Sequence, residues 1–278
     1  MNITIEKRTP DAVAPMQEAY LATLTAPQDA YWQTGLIAAA DHLEIGIDGS
    51  QAGYFVLDAQ NQMMQFHLNA PFHRHAPAIF RHVLQKQGIT TALAATIEPF
   101  YFSLCLDQQH KAAVHTYLFS DHQQREPALP AFSGARFRKA THDDLARVMP
   151  IFTGGDEFVD TETIDATFGD MAGYARMVID DGILNVLELD GEILGTGEFR
   201  ERTSWPPYAD VGMMVHKKHR RKGLGTYLLT LLKQKAAQQE LKPICSCEAG
   251  NEGSRKAVEN AGFIARHRVV QFSFETSA

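Results

Sequence analysis

The sequence predicts an α/β protein built twice on one plan. Three observations predict it. Two strand–Asp-Gly–strand segments match, the segments after them align without a gap, and both halves open with a strand, a polar turn and a helix.

The first match pairs residues 43–57, LEIGIDGSQAGYFVL, with residues 185–199, NVLELDGEILGTGEF. Asp48-Gly49 and Asp190-Gly191 predict two-residue β-hairpin turns, because both residues of such a turn need positive φ. Each copy places a glycine four residues after the turn glycine, at Gly53 and Gly195. The second match lays QMMQFHLNAPFHRHAPAIFRHVLQKQ (62–87) over ADVGMMVHKKHRRKGLGTYLLTLLKQ (209–234). Strand, basic or histidine-rich loop and amphipathic helix follow in the same order. The third match is ITIEKRTPDAV with ARFRKATHDDLARV. Pro, Gly and polar residues concentrate in QREPALPAFSG (124–134), which predicts a linker. The expected domains are therefore residues 1–126 and 135–278, joined by 127–134.

With 278 residues the chain is long enough for two ordinary domains, and 45% hydrophobic with 21% charged is a globular composition. A formal charge of −7 repels nucleic acid and anionic membrane, so any anion site must be local. MNITIEKRTPDAV lacks the apolar run of a signal peptide, and no later stretch is long enough to span a bilayer. A cytoplasmic location is expected. Cys105, Cys245 and Cys247 lack the companion ligands of a metal site and read as small buried residues.

ADVGMMV reads as a strand buried on both faces, and Leu224, Tyr227, Leu228, Leu231, Leu232 and Ala236 form one helical stripe. Lys233, Gln234 and Lys235 are assigned to the polar face. Between strand and helix lies HRRKGLG. A helix start presents N–H groups without intrahelical partners and concentrates partial positive charge. Gly223 and Gly225 lack Cβ atoms, so a phosphate can approach the backbone, and Arg220, Arg221 and Lys222 add charge at the rim. The P-loop pattern fails because Thr226-Tyr227 follows Gly225. The dinucleotide pattern fails because Leu228 stands where its third glycine belongs. Arg-x-x-Gly-x-Gly remains.

VHKKHRRKGLGTYLL resembles the acetyl-CoA loop of the GCN5-related N-acetyltransferase (GNAT) superfamily. PICSCEA followed by NEGSRKAVENAGF resembles that family's next strand and its Asn-x-x-Ser/Ala helix ending in Gly-Phe. The resemblance spans residues 135–274 and implies a mixed central sheet flanked by helices, in each half. It implies acetyl-CoA as co-substrate and no metal. The backbone of Met213, Met214 and Val215 would pair with the pantetheine arm. The N–H groups of Arg221, Lys222, Gly223, Leu224, Gly225 and Thr226 would hold the pyrophosphate beside Arg220. Asn251 would contact the pantetheine, with Ser254 three residues on in the same motif.

The gapless alignment sets Ala76 and Ala78 opposite Gly223 and Gly225, His73 opposite Arg220, and Pro77 opposite Leu224. Methyl groups replace the open approach and Pro77 has no N–H to give. The first half is expected to keep the fold without CoA. His67, His73, His75 and His82 invite a metal, but lack a Cys or carboxylate nearby and read as solvent-facing.

Acyl transfer to an amine needs a base for the ammonium proton. Asp210, at the start of the strand before the cradle, and Glu198, on the preceding strand, are the candidates, and the family often has Glu where Asp210 aligns. The family's usual acid is a Tyr seven residues after the motif Asn, where this chain has Val258. Tyr208, Tyr227 or water could replace it, or no acid is needed, since a thiol pKa of about 8.5 makes CoA a tolerable leaving group. TGGDEFVDTETIDATFGD (153–170) bears Asp156, Glu157, Asp160, Glu162, Asp165 and Asp170 without Lys or Arg. It suits either a lip for a cationic amine or helix caps on a solvated face. RTSWPPYAD (202–210) reads as a substrate-side lid or a packed hairpin loop. The reading as a whole is an N-acetyltransferase acting on a primary amine of a small molecule or peptide. Its rivals are an acetyl-CoA-binding regulatory protein without catalysis and a nucleic-acid binder using HKKHRRK; a homodimer stays possible.

Overall fold

A computed structural model describes residues 1–30, 32–123, 132–154, 170–202 and 205–275. The linker expected at 127–134 and the acidic stretch 153–170 therefore lie largely outside the described residues. The chain divides into two compact units. The first comprises Met1–Leu118, Glu248–Gly250 and Arg266–Ala278; the second comprises Phe119–Cys247 and Asn251–Ala265.

In the first unit, β1 (Ile3–Arg8), β2 (Asp41–Ile47), β3 (Ser50–Leu57) and β4 (Met63–Leu68) pair antiparallel in sequence order. β5 (Thr91–Ala95) lies parallel to β4, with α1 (Pro10–Leu21), α2 (Ala76–Gln87) and α3 (Pro99–Gln108) as helices. Strand β6 (Gln109–Asp121) follows. In the second unit, β7 (Arg136–Lys139), β8 (Leu184–Leu189), β9 (Glu192–Glu201) and β10 (Tyr208–Val215) pair antiparallel, and β11 (Lys242–Glu248) is parallel to β10. Its helices are α4 (Leu145–Thr153), α5 (Asp170–Asp180), α6 (Leu224–Gln238) and α7 (Glu252–Asn260). The last strand is β12 (Phe263–Phe274). The residues from Arg266 onward, expected in the second domain, fall in the first unit because Val269–Ser273 pair antiparallel with Thr91–Ala95.

The duplication is visible atom by atom. Asp48-Gly49 has φ of 49° and 82°, and Asp190-Gly191 has 50° and 82°. Both hairpins carry a register shift at the same point, Ile45/Gly46 and Leu187/Glu188. A Cβ on Gly53 would lie 2.1 Å from the His67 carbonyl oxygen, and one on Gly195 would lie 2.7 Å from that of Met214. His67 and Met214 are aligned residues, so both glycines permit the same close approach of neighbouring strands.

The second unit packs both sheet faces. Met214 joins Leu184, Val186 and Ile193 against α4 and α5, whereas Met213 and Val215 join Leu187 and Leu194 against Leu224 and Leu228 of α6. Thr141 and Asp144 form a capping box ahead of α4. Burial favours a protonated Asp144, but Arg138 and the Thr141 N–H outweigh it and hold the carboxyl at about 2. Lys233, assigned to a polar helix face, is instead buried: it pairs with Asp121 at 2.7 Å, donates to the carbonyls of Gln123 and Ala261, and lies 5.2 Å from the Phe263 ring centroid. Periodicity alone assigns that position to solvent; the capped ammonium is what permits its burial. Among the described residues no helix is long and apolar enough to cross a membrane.

The first unit buries Glu98, which accepts hydrogen bonds from the Tyr20 hydroxyl and the Ala95 N–H, beneath Tyr54 and Tyr101. Burial raises its pKa to about 7. An unfolded glutamate titrates near 4.3, so between about pH 4.5 and 7 the folded chain binds the extra proton. Stability should then fall as pH rises through that window, by on the order of 2–3 kcal/mol, and level off above it. Glu98→Gln should flatten this dependence in urea titrations taken across pH 4.5–7.5.

Candidate active site

Strands β10 and β11 pair for only three residues, Tyr208↔Lys242 through Asp210↔Ile244. Both strands continue past that point, and β10 keeps β9 as its partner up to Val215↔Gly195. From Val211 onward the other edge of β10 has no strand partner among the described residues. This explains why Gly212–Val215 are half-buried, although the sequence suggested a strand buried on both faces.

The chain leaves β10 through a turn with its own fastenings. His216 Nδ1 accepts from the Lys218 N–H at 3.3 Å, His219 contacts Glu192 at 3.0 Å, and Arg220 Nε donates to the Val215 carbonyl at 3.2 Å. Arg221 and Gly223 then take positive φ, 63° and 80°, and α6 begins at Leu224. A Tyr227 N–H to Gly223 carbonyl bond of 3.1 Å closes the first turn. The N–H groups of Leu224, Gly225 and Thr226 precede it and lack intrahelical acceptors. Alternating left-handed residues before a helix start turn successive N–H groups toward one point, an anion-binding nest.

These elements surround one cavity of about 810 Å³. Of the residues expected at the cofactor, all line it except Lys222, which is exposed: Met213, Met214, Val215, Arg220, Arg221, Gly223, Leu224, Gly225, Thr226, Asn251 and Ser254. Asn251 Oδ1 also accepts from the Ser254 N–H at 3.1 Å and caps α7. The wall formed by Ile151, Phe152, Thr153 and Gly154, at the end of α4, was not foreseen. No motif marks it, because these residues come from an ordinary amphipathic helix. His219 lines it as well, and Lys256 adds a positive charge.

A nest at a helix start, cationic side chains and an open strand edge fit a ligand with a pyrophosphate and an amide-bearing arm. The two glycines have different surroundings. A Cβ on Gly225 would meet Ala257 Cβ and Met213 Sδ, both at 3.2 Å, so Gly225 serves the packing of α6 on α7 and β10. Gly223, with φ of 80°, is the one that shapes the anion turn.

The two carboxylates share a sheet face. Glu198 stands opposite Gly212 and Asp210 opposite Arg200, on the side where Met214 points. Asp210 is buried and bonded to buried Arg202 at 2.8 Å. Glu198 accepts from the Tyr174 hydroxyl of α5 at 2.8 Å and lies 4.0 Å from Arg200 Nη2. Burial, and then the Glu198 charge, push the Tyr174 phenol well above its usual range, so it stays a donor. Neither carboxylate lines the cavity, but Gly212 is two residues, about 7 Å, from Met214, which does. Phe152, another lining residue, packs edge-on against Tyr174 at 6.0 Å.

The tyrosines named as acids lie elsewhere. Tyr227 stacks on Phe132 at 6.0 Å, Tyr208 lies under Lys242, and neither lines the cavity. Val258 is buried, with 2% of its surface exposed.

The corresponding region of the first unit keeps some of these contacts and fills others with different residues. β4 and β5 pair only at Met63↔Ala92. His73 Nε2 meets the Leu68 carbonyl at 2.8 Å, as Arg220 meets the aligned Val215. Ala76, opposite Gly223, is right-handed at φ −52°, and Pro77 occupies the first turn of α2. The Tyr101 hydroxyl donates to the Met63 carbonyl at 3.1 Å, its ring packed with Phe66 and Phe80. The histidines expected in solvent are more engaged than that: His67 is buried and His73 packs 4.6 Å from Phe100.

Residues 9–122 match the acetyltransferase (GNAT) domain, and residues 150–263 match the acetyltransferase (GNAT) family. The chain belongs to the GNAT acetyltransferases and carries two such domains in tandem. No curated protein sequence matches it. An acetyltransferase from the GNAT family of Colwellia psychrerythraea has the same fold, with a TM-score of 0.85 at 24% identity over 98% of this chain and 100% of that one. A tandem GNAT protein from the clavulanic acid biosynthesis pathway gives 0.61 at 15% identity, covering 100% and 99%. A GCN5-related N-acetyltransferase from Sphaerobacter thermophilus gives 0.61 at 15%, covering 99% and 96%.

The packing makes two substitutions informative. Gly225→Val should destabilise the chain by about 1–3 kcal/mol through overpacking against Ala257 and Met213. Val258→Tyr should do the same without adding a proton donor, because the position is core. Denaturant midpoints beside acetyl-CoA affinity would separate packing loss from loss of binding.

Proposed function

We propose that the second unit transfers an acetyl, or other short acyl, group from acetyl-CoA to a primary amine of a small molecule or peptide, by direct attack in a ternary complex. The observation that carries this reading is the left-handed turn at Arg221 and Gly223, which opens onto the same cavity as the unpartnered edge of β10. Acetyl-CoA supplies an activated thioester, and the GNAT family generally uses it. Arg220, Arg221 and the first N–H groups of α6 bind its pyrophosphate. Met213–Val215 orient the pantetheine arm along the strand edge, with Asn251 and Ser254 on the other wall.

Glu198 takes the proton from the acceptor amine, its carboxylate oriented by the Tyr174 hydroxyl. Asp210 is the second candidate, but its tight bond to Arg202 favours a role in fastening the loop between β9 and β10. No phenol lines the cavity among the described residues, which supports departure of the thiolate without a dedicated acid. The first unit is a degenerate copy without CoA, a reading supported by Ala76, Pro77 and the Tyr101 bridge. A cytoplasmic setting is consistent with three cysteines outside any disulfide.

Calorimetry should give one CoA per chain. Gly223→Glu should abolish binding, since its carboxylate would sit where the phosphate belongs, and Ala76→Gly with Ala78→Gly should leave the stoichiometry at one. Two equivalent sites would overturn the degenerate reading.

Glu198→Gln should lower turnover at neutral pH by roughly 10²–10⁴-fold, read as free CoA released with a panel of amines, and leave acetyl-CoA affinity unchanged. Asp210→Asn should act mainly on stability, costing about 3–5 kcal/mol because it removes the carboxylate of a buried ion pair. CoA binding without release for any amine would instead favour a sensing protein.

A further inference from the structure

The face beside the cavity holds a second charge that the reaction does not use. It carries two carboxylates, Glu198 and Asp210, and two guanidiniums, Arg200 and Arg202. Arg202 and Asp210 pair at 2.8 Å, both buried. Arg200 is different. It is cross-strand from Asp210, its side chain is 23% exposed, it also meets the Tyr174 hydroxyl, and its ion pair with Glu198 stands at 4.0 Å, beyond hydrogen-bond distance. A guanidinium carries five donors in a planar fork suited to a carboxylate. Tyr174 meanwhile fixes Glu198 at 2.8 Å, so the carboxylate stays beside Arg200 without closing on it.

We infer that the acceptor is a small α-amino acid, whose amine is received by Glu198 and whose carboxylate is received by Arg200. The spacing supports the α-isomer. In an α-amino acid the nitrogen and the carboxyl carbon are two bonds apart, about 2.5 Å. That short span matches two side chains 4.0 Å apart; a charge separation of many bonds does not. The position supports it as well, since Glu198 and Arg200 lie on the Met214 side of the sheet and Phe152 ties Tyr174 to the cavity wall. The assignment rests on the amine-acyltransferase reading above, and its test keeps the two apart.

Thermal shift and calorimetry with CoA present would compare L-alanine, L-phenylalanine and L-lysine with their carboxamides, and with 4-aminobutyrate and 6-aminohexanoate. The wild-type chain should bind at least one free α-amino acid, with its amide and the ω-amino acids weaker by roughly tenfold or more. Arg200→Gln should remove that preference, and Arg200→Lys, which keeps the charge but not the fork, should restore part of it. CoA affinity should hold in both variants. Arg200-dependent amino-acid binding without acyl transfer would leave this assignment standing and remove the transferase reading. Transfer to simple amines and amides as readily as to amino acids would do the reverse. Absence of amino-acid binding, or equal binding in Arg200→Gln, overturns the assignment.

Discussion

The second unit is organised by a pairing that stops. β10 and β11 share three residues of parallel register and then no more, so the backbone of β10 from Val211 onward reaches an edge without a strand partner. Unpaired backbone groups inside a sheet are costly unless a ligand or water meets them. Separation of the strands also gives α6 and α7 room to present their N-termini to the same cavity. Small residues make this geometry tolerable: Gly195 lets β9 approach the Met214 carbonyl, and Gly225 lets α6 settle on Ala257. The left-handed turn at Arg221 and Gly223, the capping Asn251 and the apolar wall of α4 all take their places around that divergence.

The first unit has the same divergence and a different filling. Tyr101 reaches the Met63 carbonyl, at the last paired position of β4, and packs against Phe66 and Phe80. Helix α2 starts with right-handed Ala76 where α6 is preceded by left-handed Gly223. Glu98 precedes α3 as Asn251 precedes α7, yet it turns inward to Tyr20 and the Ala95 N–H. A buried carboxyl of this kind is expensive when ionised, which is why its proton is retained to about pH 7. The duplicated scaffold thus keeps its hairpins and its loop fastening, His73 to Leu68, while an aromatic core stands where the other copy has an opening.

Features encoded locally were legible in the sequence. Asp-Gly turns, the glycines beyond them and the strand–turn–helix of the cradle depend on neighbouring residues, and they reappear with the expected dihedrals. What escaped depends on contacts between distant segments. Lys233 reads as solvent-facing by helical period, and only Asp121, Gln123 and Ala261 explain its burial. Gly225 carries the motif signature, but Ala257 and Met213 reveal its packing role. The α4 wall has no motif, and the pairing of β12 with β5, far away in sequence, moved the end of the chain out of the expected second domain.

The same distinction between local pattern and distant contact bears on the two carboxylates. By sequence Asp210 and Glu198 are equivalent strand acids near a cofactor. In the fold, Asp210 is buried against buried Arg202, a pair that balances its desolvation cost only while both members remain. A carboxylate in that state cannot approach a substrate without breaking the pair. Glu198 accepts from a phenol at 2.8 Å, and the Arg200 guanidinium stands 4.0 Å away. A hydrogen bond from Tyr174 orients the carboxylate without pairing it to a buried cation. In the proposed reaction the division of labour follows from the partner each acid found: an arginine makes a staple of one, and a tyrosine leaves the other able to act as a base.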